Sequence, residues 1–346
     1  MAFSFSLLDL GGKSFPLLIE PYTPTPFDET LFLIHQHKKL LSEKITQHGA
    51  ILLRNFPIKS TREKRAILQA LDIKIESSYP FGISPRSSLE EGIFKSTEIP
   101  NHFPLFAHTE MSYLPMRPKV IAFYCAIEPQ IYGETPLFDM RALFRSLSED
   151  TKTLLRSKQM HYVHYYPKSG PRFLKNVSLT WPSIFKTDDK DKVSEELKAQ
   201  GFEYQWGKKD DLEYHTKVSG IIRHPITLDE CINLLLLHPY VIRSVFAQIR
   251  KRQNIFFHYS VLLATLLFGK LKKPATSMYF VDKENIPFSI VKEICDLTFQ
   301  HMSIFNWKQN DLLIVDNISI AHARMNVKNP RKITVSLGDM YQALAL

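Results

Sequence analysis

Phe103-Pro104-Leu105-Phe106-Ala107-His108-Thr109-Glu110 is the stretch on which the fold of this chain turns. Residues two apart share a face of a strand but diverge on a helix, so His108 and Glu110 act together only on a strand or its ragged end. The neighbours agree. Residues 103–107 carry little helical periodicity, and the apolar run Lys119-Val120-Ile121-Ala122-Phe123-Tyr124-Cys125-Ala126 that follows is a strand candidate. Far along the chain, Asp311 to Asp316 reads as a buried strand, Asn317 as a polar turn, and Ile318 to His322 as the next extended segment. In Arg331-Lys332-Ile333-Thr334-Val335-Ser336-Leu337 the alternation puts Arg331, Ile333, Val335 and Leu337 on one inward face.

A His-x-Glu triplet alone says little: 13 His and 35 acidic residues in 346 positions give 13 × 35/346, about 1.3 chance His-x-acid pairs, and the chain has one. The meaning comes from what answers it. Two imidazoles and one carboxylate form the facial triad that holds Fe(II) on one side and leaves the other side open, so His108, Glu110 and His322 are the candidate ligands. Arg331 is a cation aimed at the core side of a sheet, which is costly unless an anion meets it. Guanidinium suits carboxylates, so a bound carboxylate is the expected partner.

Composition bounds the rest. The chain is 44% hydrophobic and 23% charged, enough to bury one sizeable core without splitting into domains. Cys125, Cys231 and Cys295 are widely spaced, odd in number and in no CxxC pair, so neither a disulfide framework nor a zinc knuckle is expected and a reducing compartment fits. The first ten residues lack a secretory pattern and no run reaches the ~18 apolar residues of a membrane span, so a cytoplasmic protein is expected. The net charge of +9 would attract anions. The basic residues are mixed with acids, as in Lys186 to Lys192, and no groove-reading or RNP-like signature occurs, so nucleic acid is not an expected partner.

Several stretches together resemble the TauD/TfdA family of Fe(II)- and 2-oxoglutarate-dependent dioxygenases, within it the clavaminate-synthase-like and syringomycin-hydroxylase-like branch. They are Gly49 to Pro57, Ser84-Pro85-Arg86, Lys95 to Glu98, His108 to Tyr113 with Arg117-Pro118, Gly133 to Arg141, His224-Pro225, Asn310 to Asn317, and His322-Ala323-Arg324 with Pro330 to Ile333. The resemblance implies a mainly β fold with flanking helices, a double-stranded β-helix (jelly-roll) core in one domain spanning 1–346. It makes His108, Glu110 and His322 the iron ligands, Arg331 the partner of the distal carboxylate of 2-oxoglutarate, and Thr135 a second holder of that carboxylate. It also implies that O2 is consumed, succinate and CO2 are released, and an unactivated C–H bond is hydroxylated. Retention of Glu110 argues against halogenation. The chain departs from the family pattern at Tyr132-Gly133, Asn310 and Ala323, and after His224-Pro225, where Thr227 to Leu234 replaces a pocket-lining segment. Asn tolerates the left-handed region, so the turn at Asn310 is expected to survive.

Leu31 to His48 is expected to be an amphipathic helix ahead of a strand at Ala50 to Leu53. Thr61 to Leu71 follows as a helix, with Thr61 as N-cap and Lys64 and Arg65 on its wet face. Leu143 to Leu155 reads as helical, and residues of about 141–305 as a long helical insertion over the mouth, with pieces at Val261 to Leu271 and Ile290 to Gln300. Met160 to Tyr166 reads as a strand with one buried face, and Trp206 and Trp307 as packing anchors. His224 is read as structural, since three ligands complete the triad. Arg86, Arg117 and Arg324 are candidates for gripping an acidic substrate, set against ordinary ion-paired arginines. The expected substrate is a small polar molecule, an amino acid or peptide-like intermediate, free or tethered to a carrier protein. Two competing readings are a non-catalytic jelly-roll binder and a cupin-like hydrolase using Zn²⁺-activated water, the latter needing no Arg331.

Overall fold

The computed structural model describes residues 3–7, 15–79, 81–83, 86–170, 179–233, 235–249, 259, 263 and 274–343. Two sheets make its centre. The larger has eight strands in the order Phe3–Leu7, Leu17–Pro21, Ala50–Leu53, Leu312–Asp316, Met116–Ile127, Lys332–Gln342, Ile93–Lys95 and Ser88–Glu90. The smaller orders Met302–Ser303, Leu137–Asp139, Ile320–Arg324 and Leu105–His108. Neighbours pair antiparallel throughout, except Leu17–Pro21 on Ala50–Leu53. This is the jelly-roll that the resemblance implied.

Alternation decides which side chains fill the space between the sheets. Leu313, Val315, Phe123, Ile333, Val335 and Leu337 share one cluster with Leu137 and Ile320 of the smaller sheet. Leu312, Ile314, Ala122 and Tyr124 turn the other way, onto Ile34, Leu41, Ile67 and Leu68 of three helices. Both faces of the central strands are thus covered, which is why residues 312–315 are apolar in succession instead of alternating.

Those helices depart from expectation in instructive ways. The first amphipathic run is two helices, Phe27–Gln36 and Lys38–His48, broken at His37. In Thr61–Ala70 the cap is Ser60, whose hydroxyl accepts from the Glu63 amide. Lys64 is not on a wet face: it is 0% exposed, with Nζ 3.4 Å from Thr334 Oγ1. Thr334 and Ser336 lie on the helix-facing side of their strand, so Lys64 meets a polar patch within a contact otherwise made by Ile67 and Leu68 on apolar strand residues.

The segment from about 141 to 305 differs from a purely helical insertion. It holds a four-stranded sheet ordered Glu203–Trp206, Leu212–Ser219, Gln159–Tyr166 and Thr276–Phe280, and a hairpin of Ile221–Arg223 with Glu230–Ile232. In Gln159–Tyr166 the expected buried face is Met160, Tyr162, His164 and Tyr166, with His164 stacked on Tyr214 at 4.5 Å, and His161 on the opposite face is buried as well. The expected helix at Leu143 to Leu155 is two, Met140–Ser146 and Glu149–Ser157, the second capped by Ser148. Phe288–Gln300 is helical as expected, whereas Val261 to Leu271 lies outside the described residues apart from position 263. No helix among the described residues is long and apolar enough to cross a membrane.

Candidate functional site

Strand register creates the site. His322 and His108 are direct cross-strand partners on Ile320–Arg324 and Leu105–His108, with ring centroids 4.4 Å apart. The chain leaves the strand after His108 and bends sharply at Met111, where φ is 58°. This turns Glu110 back, so one ligand atom from each of His108, Glu110 and His322 lies within 4.8 Å of the others. His322 Nε2 stands 3.9 Å from Glu110 Oε2.

Each donor is held in a form a cation could use. His108 Nδ1 is 2.8 Å from the Phe106 carbonyl, which only accepts, so Nδ1 carries the hydrogen and Nε2 keeps its lone pair. Burial pushes both imidazoles below their ordinary pKa, His322 far below, so both are neutral ligands at pH 7. His322 Nδ1 is buried without a partner. Burial alone would raise the Glu110 carboxyl, but Arg86, His108 and Tyr79 outweigh it and hold it below the usual range. Tyr79 donates to Oε1 at 2.6 Å and Arg86 Nη2 to Oε2 at 2.7 Å. The backbone of Glu110 is clamped by Asn317, whose Oδ1 accepts from its amide at 2.7 Å and whose Nδ2 donates to its carbonyl at 3.0 Å.

A second polar constellation surrounds Arg331. Its Nε donates to the Gly133 carbonyl at 2.9 Å and its Nη2 to Thr135 Oγ1 at 3.0 Å. Trp307 Nε1 donates to the same hydroxyl at 3.0 Å, so Trp307 is more than the packing anchor expected. Gly133 has φ of 82°, and a Cβ there would meet Pro129 and Val327 at 2.9–3.0 Å, so the turn presenting this carbonyl needs glycine. No carboxylate among the described residues pairs with Arg331. Burial, and then Arg324, push its pKa down to about 9. An enclosed cation beside a hydroxyl donor and without an anion fits a ligand carboxylate.

The other arginines separate. Arg86 sits in the site, on Glu110, while Ser84 and Pro85 beside it lie outside the described residues. Arg117 is fully buried elsewhere, held by Asn233 Oδ1 and by Tyr341 Oη at 3.1 Å, so it is not available to a substrate at the triad. Arg324 donates to the carbonyls of Ile99, Pro100 and Phe103 at 2.7–3.0 Å and ties down the loop leading to His108. His224 takes the structural place expected: its Nδ1 accepts from two turn amides, so its Nε2 donates to Asp316 at 2.8 Å. Asn310, at φ 71°, keeps the left-handed turn. Sequence reasoning missed Tyr79 and the clamp by Asn317, which had been read only as a turn.

A cavity of about 490 Å³ opens beside His108 and Glu110. Its walls are mostly apolar, with Phe103 and Leu105 from the core and Leu235, Leu237, Ile242 and Phe246 from the 141–305 segment. That lining departs from a site built around a small polar substrate.

A jelly-roll with two histidines and a carboxylate at one end is the architecture of a non-haem Fe(II) oxygenase. The pattern of the Taurine catabolism dioxygenase TauD, TfdA family matches residues 18–337. The chain belongs to that family and is an Fe(II)- and 2-oxoglutarate-dependent dioxygenase consuming O2. The Arabidopsis thaliana clavaminate synthase-like protein is 24% identical over 94% of each chain. The dapdiamide synthesis protein DdaC of Enterobacter agglomerans is 26% identical over 98% of this chain and 96% of its own. Among solved structures, PvcB of Pseudomonas aeruginosa superposes with a TM-score of 0.57 at 14% identity, covering 100% of this chain and 94% of its own.

Proposed function

We propose that His108, Glu110 and His322 hold the iron, that Arg331 and Thr135 hold the distal carboxylate of 2-oxoglutarate, and that the product is a substrate hydroxylated at an unactivated C–H bond. The observation that carries this reading is the meeting of three donors, 214 positions apart at their extremes, in reactive form. Iron with 2-oxoglutarate and O2 supplies an oxidant able to attack such a bond. The protein's part is to fix neutral imidazole donors, keep Glu110 ionised, and shield the reacting carbon from water in an apolar cavity. The chain is read as one domain in which the 141–305 segment acts as lid. Relatives named for dapdiamide synthesis and clavaminate synthase support a metabolite intermediate, free or carrier-tethered, and the apolar walls favour one with a substantial hydrocarbon part.

Protein loaded anaerobically with Fe(II), then given 2-oxoglutarate and O2, is expected to release succinate above a Glu110→Ala control. Equal release from both would favour a non-catalytic binder. An activity untouched by Arg331→Gln would favour hydrolysis instead.

A further inference from the structure

Beyond the three donors, one cation faces the 490 Å³ cavity with part of its hydrogen-bonding capacity unfilled. The Arg86 side chain is 3% exposed. Its Nη2 donates to Glu110 Oε2, and its guanidinium carbon lies 4.7 Å from the Tyr79 ring centroid. Nε and Nη1 are buried and have no acceptor among the described residues. A guanidinium carries five N–H groups, and leaving buried ones unpaired is costly, so a native structure keeps such groups where a ligand supplies the acceptor. In this cavity Ile83, Phe103, Leu235 and Leu237 present hydrocarbon, whereas on its other side Arg86 borders a more polar cavity of about 590 Å³ with Ser77, Ser87 and Glu98 in its wall. Among the described residues Glu110 is the one carboxylate paired with Arg86.

We propose that Arg86 receives a carboxylate of the molecule being oxidised, whose apolar body occupies the rest of the cavity. This rests on reading His108, Glu110 and His322 as the iron site, since it places the bound body beside them. A carboxylate could also come from 2-oxoglutarate. The residues assigned to that cosubstrate's distal end, Arg331 and Thr135, do not line this cavity, which favours the substrate as the source. Arg86 would then select acids with long apolar bodies over neutral analogues of the same shape, and tie the acid's head group to the carboxylate that holds the metal.

The test is calorimetric titration of full-length protein with ω-phenylalkanoates of two to six chain carbons and with their primary amides, without metal and again with Mn(II) and 2-oxoglutarate. At least one acid is expected to bind about tenfold or more tighter than its amide, and Arg86→Gln to bring the pair within about twofold, with Arg86→Lys restoring part of the preference. The wild-type comparison needs no variant, and a circular-dichroism melt confirms that the variants fold. Equal binding of acids and amides, binding of neither series, or a preference that survives Arg86→Gln overturns the proposal. So does an Arg86→Gln protein whose loss is confined to 2-oxoglutarate. Mn(II) titration of His108→Ala by electron paramagnetic resonance reads the iron assignment separately, because acid selection by Arg86 is expected in the metal-free protein too.

Discussion

Replacing Arg331 by Met is expected to stabilise the ligand-free protein while ruining its hold on 2-oxoglutarate. Arg331 is half-buried, its guanidinium donates to Gly133 and Thr135, and it has Arg324 as a like-charged neighbour. Burial first, and Arg324 second, bring its pKa well below the ordinary guanidinium range, down to about 9. The group stays protonated at neutral pH, so the drop measures how poorly the empty site accommodates the charge. At about 1.4 kcal/mol per tenfold the cost has an upper bound of about 5 kcal/mol, and because the residue is partly exposed about half of that is a fairer figure. Methionine removes this cost but leaves the Gly133 carbonyl and Thr135 hydroxyl short of a donor, about 1 kcal/mol each if water does not reach them. The ligand-free variant should therefore match the wild type or exceed it by up to about 2 kcal/mol. In the other direction, losing a charge-assisted contact to a carboxylate should cost about 2–4 kcal/mol of binding, or about 30- to 1000-fold in affinity. Urea unfolding with and without 2-oxoglutarate, alongside anaerobic 2-oxoglutarate titration, measures both. Unchanged 2-oxoglutarate affinity, or a ligand-free variant more than about 1 kcal/mol less stable than wild type, would refute the reasoning.

Two further expectations concern residues that touch no ligand. Lys64 has its pKa pushed from 10.5 down to about 7 by burial, Arg65 adding to the effect. Between those values the unfolded chain binds a proton that the folded one does not, so stability rises with pH across that window and the full penalty is present below it. Wild type should gain about 2 kcal/mol over Lys64→Met between pH 7 and 9 in urea unfolding, and parallel profiles would show the amine to be better solvated than its burial implies. Asn317→Ala frees the backbone of Glu110 and should weaken Co(II) binding, followed by its visible absorption, about 10- to 100-fold, with unaltered affinity arguing that the turn at Met111 holds Glu110 unaided.

The parts of this molecule readable in its sequence are those governed by short-range periodicity. The apolar run Leu312–Asp316, the alternation after Arg331 and the two-residue spacing of His108 and Glu110 each fix a local geometry, and their convergence followed from strand logic and the family resemblance. Lys64 was misread because a helical wheel says which side is polar, not what lies against it; here that neighbour, Thr334, is 270 positions away. Gln159–Tyr166 shows the one buried face its sequence implies, at Met160, Tyr162, His164 and Tyr166, and only His161 on the opposite face is buried as well. Tyr79 carries no local signal, since its place is set by folding onto Glu110 from another part of the chain, and Arg86 is marked by the Ser84-Pro85-Arg86 stretch without any sign that it pairs with Glu110. The break at His37 falls inside a run whose apolar spacing continues through it, so periodicity had nothing to report.

His108 and His322 are fixed by backbone pairing within the smaller sheet, whereas the cavity beside them is walled from two places, residues 79–113 around His108 and Glu110 and a second wall of Leu179, Leu235, Leu237, Ile242 and Phe246 from the segment between about 141 and 305. One wall of the space beside the candidate ligands is therefore built from a length of chain separate from the strands that carry them. Drift in that one wall can reshape the cavity without disturbing a donor atom, so a lineage can keep its chemistry while its diet changes.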